Sequence, residues 1–184
     1  MQFEQTTRVS HPADAVLETL IERMEELVEF FPNLDAVEFR SREETADGRT
    51  RIVRVCRGRV DGVPAPLRPF VSPDLLSWTD TAVWSRKAYE VEWSHESCSR
   101  TVAGLYRCSG VNSFKPHPEN PERETEIRIS GELQVDPHVL PGVPRFLGRT
   151  LAPQIERFVV ELIKPNLDDV AKGVQGYLDA RGGV

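Results

Sequence analysis

The residues able to do chemistry are few and scattered. Of four histidines, His11, His95, His117 and His138, only His95 has a second His or Cys three or four residues on, Cys98. Zinc needs about four convergent ligands, so these read as caps, turns and surface positions, and no metal is expected. Cys56, Cys98 and Cys108 are odd in number and lack CxxC spacing, which argues against a disulfide framework or a zinc site. A cysteine becomes a nucleophile where neighbouring cations depress its thiol. Cys56 lies between Arg54 and Arg57, and Cys108 follows Arg107, but a small strand residue is the plainer reading of each. There is no Gly-x-Ser-x-Gly elbow. Glu90 with Glu92, and Glu126 with Glu132, share strand faces and alternate with apolar residues, as a solvated face does. Gly173-Val174-Gln175-Gly176 sits inside a helical pattern and reads as close helix–sheet packing rather than a nucleic-acid loop. No catalytic set emerges, and no cofactor is expected.

Binding chemistry has more behind it. Arg51, Arg54, Arg57 and Arg59 fall on one hairpin, and side chains alternate along a strand. Arg54 and Arg57 therefore point to opposite faces. One of the two is expected to face inward; an inward arginine is expensive unless paired, which makes it a candidate anchor for a carboxylate or phosphate, and Arg54 is counted among the candidate cavity residues. Tyr89, Val91 and Trp93 lie on one strand face; Tyr106, Cys108 and Asn112 share a face of the next long strand. Such mixed faces suit a pocket that is mostly apolar with a few placed polar groups. The alternative is a core whose Tyr hydroxyls reach its edge. Between 61 and 77, Pro64, Pro66, Pro69 and Pro73 interrupt Val63, Leu67, Phe70, Leu75 and Leu76. Long loops of this kind are often functional. Phe70, Leu75, Leu76 and Trp78 form a candidate lid, able to shield a cavity or to touch a membrane surface transiently.

The elements that would position these residues can be read along the chain. With 184 residues a single domain, 1–184, is expected, long enough to bury a core unaided. A formal net charge of −6 argues against a nucleic-acid binder and against electrostatic attachment to anionic membranes. No apolar run reaches the ~20 residues of a membrane span. The N-terminus lacks a signal-peptide layout, so a cytoplasmic protein with reduced thiols is expected. Residues 2–9 read as an edge strand. Ser10 or His11 then caps a helical segment with Pro12 in its first turn, and Val16, Leu17, Leu20, Ile21, Met24, Leu27 and Val28 keep helical spacing to Pro32. Residues 36–43 and 50–60 form a hairpin across Ala46-Asp47-Gly48. Strands follow at 78–85, 87–95 and 101–114, and after the 115–121 turn a strand carries Ile127, Ile129, Leu133 and Val135 on one face. A final helix keeps Ile155, Phe158, Val159, Leu162, Ile163, Leu167, Val170, Val174 and Leu178 in one phase across Pro165. From 153 to 181 it would span about 43 Å at ~1.5 Å per residue. The class is α+β: a curved antiparallel sheet of six to seven strands around a long C-terminal helix, with a short helical segment after strand one. Sheet and helix cannot close tightly at both ends, which leaves a cavity to which Phe158 and Leu162 would contribute.

In element order the whole chain resembles the START-like, or Bet v 1-like, helix-grip superfamily, which includes lipid-transfer domains, polyketide cyclase-like proteins and plant hydrophobic-ligand binders. Three local features resemble its PRELI/MSF1 phospholipid-transfer branch. They are His11-Pro12 with Val16 and Phe31-Pro32-Asn33; Asp47-Gly48-Arg49; and Lys115-Pro116-His117-Pro118-Glu119-Asn120-Pro121-Glu122. Residues 136–144 do not fit that branch. Glu156, Glu161, Asp168 and Asp169 do not fit a phosphate-binding helix, so no headgroup residues are carried over. The resemblance implies a protein that binds, and carries, a lipid or other hydrophobic small molecule between sheet and helix. The competing readings are a cyclase- or dehydratase-type enzyme using the same pocket, and a protein-interaction module with a filled interior. A cavity above about 300 Å³ would favour the first two, and inward titratable groups would separate enzyme from carrier.

Overall fold

The computed structural model describes residues 1–59, 76–99, 106–136, 153 and 169–182. Seven strands form one antiparallel sheet: β1 (Gln2–Val9), β2 (Leu34–Glu44), β3 (Thr50–Gly58), β4 (Ser77–Ser85), β5 (Glu90–Ser97), β6 (Tyr106–Pro116) and β7 (Thr125–Val135). The order across the sheet is β1-β7-β6-β5-β4-β3-β2. Consecutive strands from β2 to β7 are neighbours, and β1 closes the far edge against β7. Strict alternation decides which side is covered. Ile52, Ala82, Trp84, Val91, Trp93, Phe114, Ile127, Ile129 and Leu133 all lie on the buried face. The Asp-Gly hairpin forms as its sequence demands, with Gly48 at φ +77°, where a side chain would be strained.

Helix α1 (Ala13–Glu22) follows β1, and its apolar stripe of Val16, Leu17, Leu20 and Ile21 is buried. Two details differ from the sequence reading. Pro12 occupies the N-cap, and no side chain caps the helix. Ser10 and His11 are engaged elsewhere: the Ser10 N–H donates to Gln175 and His11 Nε2 meets Asp179 Oδ1 at 2.7 Å. The helical spacing that runs to Val28 also breaks. α1 stops at Glu22, and a 3-10 turn takes Glu26–Phe30. The Ile21 carbonyl, left open near the helix end, accepts a hydrogen bond from Arg54 Nη2 at 2.6 Å.

Residues 169–182 form helix α2. Its Gly173 and Gly176 face the 3-10 turn and the residue after it, where close packing on the sheet was the expectation. A Cβ at Gly173 would sit 3.1 Å from the Phe31 ring, and one at Gly176 would sit 3.0 Å from Phe30. Tyr177 meets Phe30 edge-on and donates its hydroxyl to Glu26 at 2.7 Å. Arg181 stacks over Tyr177 and pairs with the same Glu26. Asn33 donates to Asp169 at 3.0 Å. The expected long helix across Pro165, with Phe158 and Leu162, and the lid residues Phe70 and Leu75 lie outside the described residues.

Candidate functional site

One row of the sheet carries polar groups on its buried face. The ladder sets Arg54 on β3 opposite Asp80 on β4, Asp80 opposite His95 on β5, and His95 opposite Cys108 on β6. His95 Nε2 lies 3.0 Å from Asp80 Oδ1. Arg54 is only 3% exposed. Its Nε donates to Glu25 Oε1 at 3.0 Å, and its Nη2 to the Ile21 carbonyl. Arg57, the other member of the alternation, points outward and pairs with Asp35 at 2.8 Å.

Around this row the wall is aromatic. Trp78 and Trp84 come from β4, Trp93 from β5, Phe114 from β6 and Phe31 from the segment after the 3-10 turn. With Leu20, Met24 and Val170 they enclose a cavity of about 120 Å³. Trp93 holds its place by donating from Nε1 to Asn112 at 2.7 Å, and its ring lies 4.8 Å from that of His95. The indole N–H groups of Trp78 and Trp84 are buried with no hydrogen-bond partner among the described residues. A buried donor left unpaired costs roughly 1–3 kcal/mol. The volume is below the about 300 Å³ of a drug-sized site, and close to the roughly 150 Å³ of an engineered cavity that holds benzene.

The expected site residues divide. Arg54, Val91 and Trp93 line the cavity together. Trp78, read as part of a lid, stands on β4 and is one of the cavity's walls. Leu76, buried at the start of that strand, belongs to the core. Tyr106 and Cys108 face inward and are buried, but neither lines the cavity. Tyr89 precedes β5, is partly buried against the core that holds Val91 and Trp93, and does not line the cavity. It closes the β4–β5 turn at φ +55° and donates its hydroxyl to Asp14 on α1 at 2.8 Å.

Burial also settles the thiols. The Cys56 thiol is pushed up by desolvation, helped by the Asp80 charge and opposed by Arg54. Cys108 is pushed up to about 12, again by desolvation. Both stay protonated at neutral pH, so neither is an activated nucleophile. Asp80, His95 and Trp84 were missed by sequence reasoning. Their signal was parity: Asp80 shares the phase of Trp78 and Trp84, and His95 that of Val91 and Trp93.

Several solved structures match almost end to end. The Zhui aromatase/cyclase from Streptomyces sp. R1128 shares 18% identity over 100% of this chain and 99% of its own, with a TM-score of 0.64. TTHA0849 from Thermus thermophilus shares 14% identity over 96% and 99%, with a TM-score of 0.62. Ara h 8.0201, a Bet v 1-type allergen, matches over 98% of both chains at 9% identity and a TM-score of 0.52. The chain has the Bet v 1-like helix-grip fold. No family model and no curated protein matches it. The helix-grip architecture thus rests on shape, and the three PRELI-like features stand here as local contacts. His11 meets Asp179, Gly48 makes a hairpin turn, and His117 anchors the 117–124 turn through the Glu124 carbonyl. Among the described residues, no helix is long and apolar enough to cross a membrane, and no group of three or more His, Cys, Asp or Glu could hold a metal.

Proposed function

We propose that this helix-grip chain binds a small hydrophobic molecule bearing one or two rings, in a reducing compartment such as the cytoplasm. The observation that carries this reading is the wall itself: three indoles and two phenyl rings around a space beside a charged row. Arg54, Asp80 and His95 stand there in place of the apolar side chains that fill the rest of the buried face, although charge is costly to bury unless paired. The size favours a compact ring over a long acyl chain. Carriage of a lipid, the broader form of this reading, would need more room than about 120 Å³. The test is a titration of nitrobenzene into the native protein and Ala82→Leu, whose added carbons fill the cavity. Native protein should bind and the variant should lose at least about tenfold in affinity while staying folded. Equal binding by both would overturn the placement.

A second reading is favoured by one contact, the His95–Asp80 pair at 3.0 Å. A carboxylate that orients an imidazole in an apolar site equips it for proton transfer. The fold is shared with proteins named as aromatase/cyclases. Under this reading the chain is an enzyme acting on a ring ketone or β-keto substrate. It would catalyse exchange of the methyl protons of acetophenone with D₂O, and His95→Gln would abolish that exchange. Equal rates for both proteins would eliminate this reading.

A further inference from the structure

Arg54 is the one buried cation on the cavity wall among the described residues, and its partners are unequal. The Ile21 carbonyl is fixed by the helix that carries it. Asp80 is fixed on a central strand and engaged with His95. Glu25 is different. It sits between α1 and the 3-10 turn, its side chain is 35% exposed, and it meets Arg54 from the solvent side at 3.0 Å. Nε and Nη2 are accounted for, whereas Nη1 has no hydrogen-bond partner among the described residues. The wall therefore offers a cation and two unpartnered indole donors.

We infer that the ligand of this cavity is a ring-bearing anion, a carboxylate or an enolate, bound through Arg54, and that Glu25 is a built-in competitor for the same guanidinium. The inference rests on the ring-binding reading above and names the charge of its ligand. A guanidinium takes a carboxylate through two parallel N–H bonds. Nε–H runs parallel to an N–H of Nη2, so an incoming anion that takes this fork must displace Glu25 from Nε, and Glu25 can turn into water at little cost because it is part-exposed. Asp80 opposes an anion by charge, and its engagement with His95 offsets this. The displaceable carboxylate keeps Arg54 neutralised while setting a threshold that a neutral ring does not meet. It also links binding to the α1 end, because Met24, next to Glu25, is itself a cavity wall.

Benzoate and nitrobenzene are nearly the same shape and differ in charge, so their ratio of affinities isolates the anion preference. Calorimetric titrations at pH 7 would compare native protein, Glu25→Gln and Glu25→Ala. Gln keeps a hydrogen-bond acceptor for Arg54 and removes the charge. In both variants benzoate affinity should rise about tenfold, with nitrobenzene changed by less than about twofold. Arg54→Gln should remove the benzoate preference and retain nitrobenzene binding. Nitrobenzene binding with an unchanged benzoate ratio in the Glu25 variants would overturn the inference and leave the ring-binding reading standing. Failure of native protein to bind either probe would overturn both.

Discussion

The two sides of the sheet share one backbone pattern and differ in what they bury. On β7, Thr125, Ile127, Ile129 and Leu133 face inward and are buried, with Val9 and Val16 packed over them. There the chain even removes side chains to close the gap. Gly110 and Gly131 stand opposite each other, and a Cβ on Gly131 would lie 2.7 Å from the Phe3 ring and 2.7 Å from the Ser109 carbonyl. On β3, β4 and β5 the same inward positions carry Arg54, Asp80 and His95 between indoles, around a cavity. Aliphatic side chains of complementary shape fill space to crystal-like density. Rigid indoles and paired charges do not. One half of the buried face is built to hold the molecule together, and the other to hold something else.

This contrast makes sharp demands on mutants. The largest effect belongs to the packed half: Ile129→Ala should cost about 2–5 kcal/mol in a denaturant titration, as buried large-to-small changes do. Gly131→Ala should cost about 1–3 kcal/mol by overpacking, since backbone and Phe3 both stand in the way. On the cavity half, Ala82→Leu should move stability by less than about 1.5 kcal/mol, because there is space to receive it. A loss as large as that of Ile129→Ala would erase the distinction between the halves.

The docking of α2 supplies a smaller, pH-dependent effect. The Tyr177 hydroxyl bonded to Glu26, with Arg23 and Arg181 beside it, holds that carboxyl below its ordinary range. Asp179 is lowered by hydrogen bonds from Gln175 and His11. A carboxylate whose folded value is depressed contributes stability above its unfolded value and loses it as pH falls through the folded one. Protection of α2 amides from hydrogen exchange should therefore fall as pH drops below the ordinary carboxylate range, before protection in β7 does. Simultaneous loss would mean that α2 is not separately docked. Least of all should change with Arg86→Ala, which breaks exposed ion pairs to Glu18 and Glu22, a loss of about 1 kcal/mol or less.

Much of the architecture was legible because it depends on period and turn chemistry. Asp47-Gly48 announced the β2–β3 hairpin, and the alternation at 127–133 announced the cleanest strand. Parity put Arg54 and Arg57 on opposite faces, and the structure decided which of them is buried. What could not be read was cooperation at a distance. α1 ends where Arg54, thirty-three positions on, takes the Ile21 carbonyl. The Gly173 and Gly176 positions record Phe31 and Phe30, which no local pattern reveals. Asp80 and His95 were hidden for a different reason. Each is ordinary alone, and their meaning appears only when β4 and β5 are brought into register.

On this account β3–β5 form a ligand site while β6–β7–β1 form a core, and the indole N–H resonances report on that division directly. Trp78, Trp84 and Trp93 all border the cavity. Titrating ¹⁵N-labelled protein with nitrobenzene should shift these three signals with a single saturating dependence, while the backbone amides of Ile127 and Ile129 stay in place. Shifts centred on Ile127 and Ile129, or no indole shift at saturating nitrobenzene, would contradict it.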